Sequence, residues 1–229
     1  MSAIAHIYRP GVEQNMLYSW FSAMHTRVDI ILISRLDKAS MLTIVEQMKE
    51  RISDIETMGN CFTTDSELSR FNAGELPCEA LSAELHDILR QCDQWKEETG
   101  GLFDVTVEGG VNLSGFLKGY ALDQMRPILE NHGIADALLN FGNSSVMALG
   151  SQHNDGKGWM VENLNGEQFI LNDECLTTSG NETPERRHII NPLTHEYVEG
   201  QRMVSVVTKN AAEGEVRSTV ALLLSVNKT

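Results

Sequence analysis

A lysine stands at an electrostatically awkward place in the stretch Val111-Asn112-Leu113-Ser114-Gly115-Phe116-Leu117-Lys118-Gly119-Tyr120-Ala121-Leu122-Asp123. The stretch begins apolar and extended, turns at Ser114-Gly115, and continues as the first turns of a helix. Lys118 falls near that helix start, where the macrodipole disfavours a cation. One reading is a surface lysine whose stem covers apolar neighbours. The other is an anion site, in which Lys118 and nearby backbone N–H groups meet a phosphate. A second cationic cluster surrounds His188, which follows Arg186-Arg187 and precedes Ile189-Ile190-Asn191-Pro192. It reads either as a solvated strand start or as a clamp for phosphate or carboxylate. Glu215 and Thr219 are four apart on a predicted helix and so share a face. A carboxylate beside a hydroxyl suits a hard cation such as Mg²⁺, and ordinary helix surfaces carry such pairs too. Ser179-Gly180 follows a β-like run, as a plain turn or as backbone N–H groups offered to an anion. No Ser-His-Asp or Cys-His constellation assembles, and the seven histidines are dispersed.

These residues need elements to hold them. Residues 1–20 read as irregular, with Tyr18 and Trp20 opening the first strand. Thr26 to Ser34 is a strand, alternating and then continuous in apolar residues, with Asp29 on an exposed face or edge. Met41, Ile44, Val45, Met48, Ile52 and Ile55 recur at three and four, which predicts a helix from Lys38 to about Glu56. Asp37 caps it and Gly59 stops it. Thr64 or Asp65 caps a short helix over Ser66 to Phe71. A second long helix runs from about Glu79 to Glu98, with Gly100 as its exit. Phe103 to Val107 reads as a short strand and Glu108-Gly109-Gly110 as a turn. The helix carrying Lys118 extends to Asn131 with Gly133 behind it, and Pro127 predicts a kink or break. Further strands are expected at Ala137 to Asn140, Ser145 to Leu149, Gly158 to Glu162, Glu167 to Leu171 and Arg202 to Thr208. Turns fall at Asn154-Asp155-Gly156 and Asn165-Gly166. Residues 179–200 form a long polar connection, and Ala211 to Val226 a closing helix. The mixture is α+β, with antiparallel sheets packed against helices.

Composition narrows the function classes. The chain has 229 residues, 41% hydrophobic, enough for one domain over residues 1–229 or two intimately packed lobes, and no linker interrupts it. A formal charge of -14 without a basic patch argues against nucleic-acid and anionic-lipid partners. The four cysteines have no zinc-like spacing and read as free thiols of a reducing compartment. No signal segment or membrane span is legible, so a cytoplasmic protein is expected.

Six short motifs, in order over roughly residues 20–225, resemble those of the ApbE family of FAD:protein FMN transferases. They are Met24-His25-Thr26, Asp65-Ser66-Glu67-Leu68-Ser69-Arg70-Phe71-Asn72, Gly101 to Val107, Leu113 to Asp123, Thr178-Ser179-Gly180, and His188-Ile189-Ile190-Asn191-Pro192-Leu193-Thr194. The resemblance implies an ApbE-like, T-fold-related architecture. It implies Mg²⁺-assisted transfer of FMN from FAD to a threonine hydroxyl of an acceptor protein, with release of AMP. Mapped by motif, Gly115, Glu215 and Thr219 would be metal ligands. Met24, Ser66, Glu67, Asn72, Lys118, Ser179 and Gly180 would bind the flavin nucleotide. Lys118 would meet its phosphates, and His188 would lie near the reacting phosphate. The chain departs from the family pattern in several places. Gly142-Asn143-Ser144 stands where the family has Gly-Gly-Asp, Glu215 replaces an Asp, Asn191 replaces an Asp, and His25 replaces a Gly. The segment before Leu113 is contracted to Glu108 to Asn112, and the lipobox of many family members is not seen. The alternatives to a transferase are an inactive flavin-binding or protein-interaction homologue and a pyrophosphatase that splits FAD into FMN and AMP.

Overall fold

A computed structural model describes residues 3–107, 109–153 and 155–226, so Glu108 and Asn154, which open two of the expected turns, lie outside the described residues. Its central feature is a seven-stranded antiparallel sheet in the order β1-β2-β3-β4-β5-β8-β9. The strands are β1 (Ala5–Arg9), β2 (Asn15–Ala23), β3 (Thr26–Ser34), β4 (Asp136–Phe141), β5 (Ser145–Leu149), β8 (Glu174–Asn181) and β9 (Arg202–Thr208). A two-stranded hairpin, β6 (Trp159–Glu162) and β7 (Gln168–Leu171), closes through the Asn165-Gly166 turn. The helices are α1 (Lys38–Gly59), α2 (Glu67–Asn72), α3 (Ala83–Glu98), α4 (Leu117–Asn131) and α5 (Ala211–Val226).

The continuous apolar run of β3 is explained by burial on both faces. Val28, Ile30 and Leu32 join the main core with the apolar stripe of α1. Ile31 and Ile33 face the other way and pack with Trp159 and Leu171 of the hairpin. A period of two thus survives inside an unbroken hydrophobic run. Asp29 points outward from this interior strand, where it accepts from the Tyr18 hydroxyl at 2.5 Å and pairs with Arg27.

Several elements differ from the sequence reading. The amino-terminal region is not irregular: β1 pairs along β2, so local polarity yields to the ladder. The cap of α2 is Ser66, whose hydroxyl accepts from the Ser69 N–H at 2.9 Å, rather than Thr64 or Asp65. The second long helix starts at Ala83, capped by Ser82, because Cys78–Ala80 forms only a 3₁₀ turn after Pro77. Phe103 to Val107 is not a strand. Asp104 accepts from both the N–H and the hydroxyl of Thr106, at 2.8 and 2.7 Å, and this folds the backbone into turns. Pro127 neither breaks nor ends α4; it lies on the exposed side, and buried Met125 and Leu129 hold the turns around it. Ser179-Gly180 is neither turn nor loop but the end of β8. Among the described residues, no helix is long and apolar enough to cross a membrane.

Candidate active site

Three structural units meet at one cleft of about 640 Å³. They are the amino-terminal turns of α4, the middle of α5, and the β4–β5 turn with the end of β8. The loop after β8 contributes His188 and Arg186, and the β2–β3 turn contributes Met24 and His25. The volume lies in the range of small-molecule sites.

Gly119 is what lets α4 and α5 approach. A Cβ there would stand 2.5 Å from the Ala211 carbonyl oxygen and 2.6 Å from Glu215 Cγ. The contact puts Lys118 and Glu215 on neighbouring walls. Lys118 is half-buried and donates to the Ser144 hydroxyl. Its charge works against the upward shift that burial imposes on Glu215 and adds to the downward shift that desolvation imposes on His188. The lysine at the wrong end of a helix therefore faces a cavity rather than bulk solvent.

Glu215 is only 4% exposed. Its carboxylate accepts from the Ser145 hydroxyl at 2.5 Å. Burial raises its pKa above the ordinary value, and Lys118, the Ser145 hydroxyl and the nearby Gly119 backbone only partly oppose that shift. One turn along α5, the Thr219 hydroxyl lies 3.1 Å from Ser179 Oγ, which is also 2.7 Å from Ser218 Oγ. Gly115 lines the same cleft. The expected ligands would offer one carboxylate, one hydroxyl and, from Gly115, one backbone carbonyl. Oxygen donors alone match a hard cation such as Mg²⁺ in chemistry, and a buried carboxylate with raised pKa is a group that a cation would relieve. Among the described residues, no three His, Cys, Asp or Glu side chains group as a metal site, so any cation here draws on hydroxyl and carbonyl oxygens.

The exposed His188 side chain stands at the cleft mouth. Its pKa is lowered first by partial desolvation, then by Arg186 and Lys118. The imidazole is consequently neutral at neutral pH and able to accept a proton. Met24 and His25 form the two-residue β2–β3 turn with φ of 47° and 59°. Ser179 and Gly180 line the cleft from β8, where a Cβ on Gly180 would meet the Arg202 carbonyl oxygen at 2.0 Å.

Eight of the residues singled out by sequence therefore share one cavity: Met24, Gly115, Lys118, Ser179, Gly180, His188, Glu215 and Thr219. Ser66, Glu67 and Asn72 are not brought to it, and each is engaged with backbone elsewhere. Ser66 caps α2, and Glu67 accepts from the N–H and hydroxyl of Ser82 at the start of α3. Asn72 donates to the Val111 carbonyl and accepts from its N–H, both at 2.9 Å, which fixes the extended stretch leading into Lys118. Sequence reasoning missed Phe62, which lies 72% exposed on the cleft, and Ser145 beneath Glu215. An aromatic shortly before the Ser66 to Asn72 motif was a signal available in the sequence. Ser145 carried none, because its role depends on a partner 70 residues away.

The fold and cleft define an α+β protein with a small-molecule-sized site of mixed polar and apolar lining between an antiparallel sheet and its helices. The chain belongs to the ApbE family, whose model matches residues 24–116 and 108–229, two segments that overlap in the contracted stretch before Lys118. It is similar to the flavin transferase ApbE of Vibrio cholerae, with 19% identity and a TM-score of 0.72, covering 98% of this chain and 88% of that one. It is also similar to the apo form of the Pseudomonas stutzeri flavinyl transferase ApbE, with 16% identity, a TM-score of 0.82, and coverage of 94% and 88%. The ApbE protein of Thermotoga maritima matches with 19% identity and a TM-score of 0.79 over 92% of this chain and 87% of that one. No curated protein matches the chain.

Proposed function

We propose that the chain is an FAD:protein FMN transferase acting as one ApbE-like domain. The observation that carries this reading is the meeting of Lys118, His188, Glu215, Thr219 and Gly115, from three separate segments, on one cleft. In the proposed reaction, a threonine Oγ of the acceptor attacks the FMN phosphorus of FAD. The P–O bond to the AMP phosphate breaks, and AMP leaves with the bonding pair. Neutral His188 takes the threonine proton, and Lys118 holds the pyrophosphate charge. Gly115, Glu215 and Thr219 are the residues that would hold Mg²⁺. Bound there, the metal supplies Lewis-acid neutralisation of pyrophosphate charge.

Ser144 favours a second reading. Lys118 meets a neutral hydroxyl there, where the family pattern carries a carboxylate. A chain that binds flavin without transferring it is the alternative this difference supports. Isothermal titration with FAD, with and without Mg²⁺, tests both. Transfer requires metal-dependent binding and covalent flavin on a coexpressed acceptor. Binding without covalent flavin selects the non-catalytic reading, and release of FMN and AMP without acceptor selects hydrolysis. Absence of metal-dependent FAD binding sinks the enzyme reading.

A further inference from the structure

Helix α5 carries Glu215 and Thr219, yet its start is capped from another helix. The Ala211 and Ala212 N–H groups donate to the two carboxylate oxygens of Asp123, at 2.7 and 2.9 Å. Asp123 lies on α4, five residues beyond Lys118, and 88 residues from Ala211. A carboxylate at a helix amino terminus satisfies orphan donors and complements the macrodipole. Here the cap also ties two helices together. The second tie is four residues earlier on α4, where Gly119 packs against the Ala211 carbonyl and the Glu215 side chain so closely that a Cβ would have no room. Two contacts spaced one helical turn apart fix both the rotation and the slide of one helix on the other.

We propose that Asp123 is a positioning residue for the cleft: it locks α5 in register on α4, so that Glu215 and Thr219 stand beside Lys118. Asp123 does not line the cleft and touches no reacting group. Its effect on the metal side of the site rests on the transferase reading, whereas its effect on helix register does not.

The experiment therefore has two readouts on the full chain, with Asp37→Ala as the control. Asp37 caps α1 by accepting from the Ser40 N–H at 2.8 Å, far from the cleft, and its loss destabilises the chain without touching α5. The first readout is amide hydrogen exchange without ligand. Asp123→Ala should speed exchange about tenfold or more at Ala211, Ala212 and Gly119, and Asp37→Ala should leave these three unchanged. Wild-type protection at Gly119 in Asp123→Ala overturns the proposal, whether or not the chain binds flavin. The second readout is the Mg²⁺ concentration that half-saturates FAD binding. Asp123→Ala should raise it about tenfold, while Asp37→Ala leaves it in place. An equal response of the two variants reduces Asp123 to an ordinary stabilising cap and also overturns the proposal. If the wild type binds no FAD at all, the transferase reading fails and the exchange data alone decide. Asp123→Asn keeps the shape and one acceptor oxygen, and carries the same expectations in smaller size if the alanine variant does not fold.

Discussion

At the scale of single residues, the cleft is governed by one carboxylate and one imidazole, and their environments push their pKa values in opposite directions. Burial raises the Glu215 pKa above the ordinary 4.5, so the native chain binds that proton more tightly than the unfolded chain. Stability contributed at this site is therefore present at low pH and lost as pH rises from about 4.5 through the folded-state value. Glu215→Gln should remove that loss, raising the melting temperature at neutral pH and flattening its dependence on pH above 4.5, while abolishing any Mg²⁺ effect on FAD binding. A melting temperature lower than wild type at pH 7 would show that Lys118 and the Ser145 hydroxyl more than offset the burial. For His188, desolvation and the nearby cations lower the pKa below 6.5, so the proton-accepting form persists further into acid than for a free histidine. Transfer rates should stay level through pH 6.5 and fall below it. His188→Gln should slow transfer by roughly 10²- to 10⁴-fold with FAD affinity retained. A matched loss of FAD affinity would assign His188 to binding instead.

Elements matter through the places where two of them nearly collide. Gly119→Ala would force a methyl against the Ala211 carbonyl at 2.5 Å, with no rotamer to relieve it. Overpacking of this kind costs about 1–3 kcal/mol, which should appear as a lower midpoint in urea unfolding together with weaker metal-dependent FAD binding. A midpoint equal to wild type would show that α5 can slide away. The reverse applies at His25, whose φ of 59° strains an L residue. His25→Gly should stabilise the β2–β3 turn by about 0.5 kcal/mol, after the entropy cost of glycine, by the same unfolding measurement. Elements whose pattern was local were legible in the sequence. β3, β5, β9 and α5 fall on their expected bounds, because alternation, turn residues and helical spacing are properties of contiguous residues. Phe103 to Val107 was misread because its apolar residues serve the core while Asp104 bends the backbone. The site shows the same division. Lys118 and His188 stood out through charge in unusual places, and Glu215 with Thr219 through helical spacing. The Asp123 cap and the Gly119 contact are tertiary facts with no local pattern.

For the whole molecule, charge is the dominant long-range quantity. A chain of formal charge -14 repels itself and repels an anionic dinucleotide, so screening alone should stabilise it and ease nucleotide approach. Any response to Mg²⁺ therefore contains two parts. The general part comes from ionic strength and acts on the many surface carboxylates. The specific part would come from a cation held by the proposed ligands Glu215, Thr219 and Gly115, and would add RT ln(1 + [L]/Kd) to the native state. The two separate by design. Thermal unfolding is measured in MgCl₂ and in NaCl of the same ionic strength, for wild type and for Glu215→Gln. Wild type should melt higher in MgCl₂ than in matched NaCl, by an amount that grows with the logarithm of Mg²⁺ once the site is filled. In Glu215→Gln the difference between the salts should vanish, while the rise from low to high ionic strength remains. Equal curves for wild type in the two salts would mean that the buried carboxylate takes no metal without nucleotide, and the site would then be completed only by the phosphates that Lys118 is proposed to meet. That outcome is itself distinguishable, because adding FAD would restore the difference between the salts in wild type and leave Glu215→Gln unchanged.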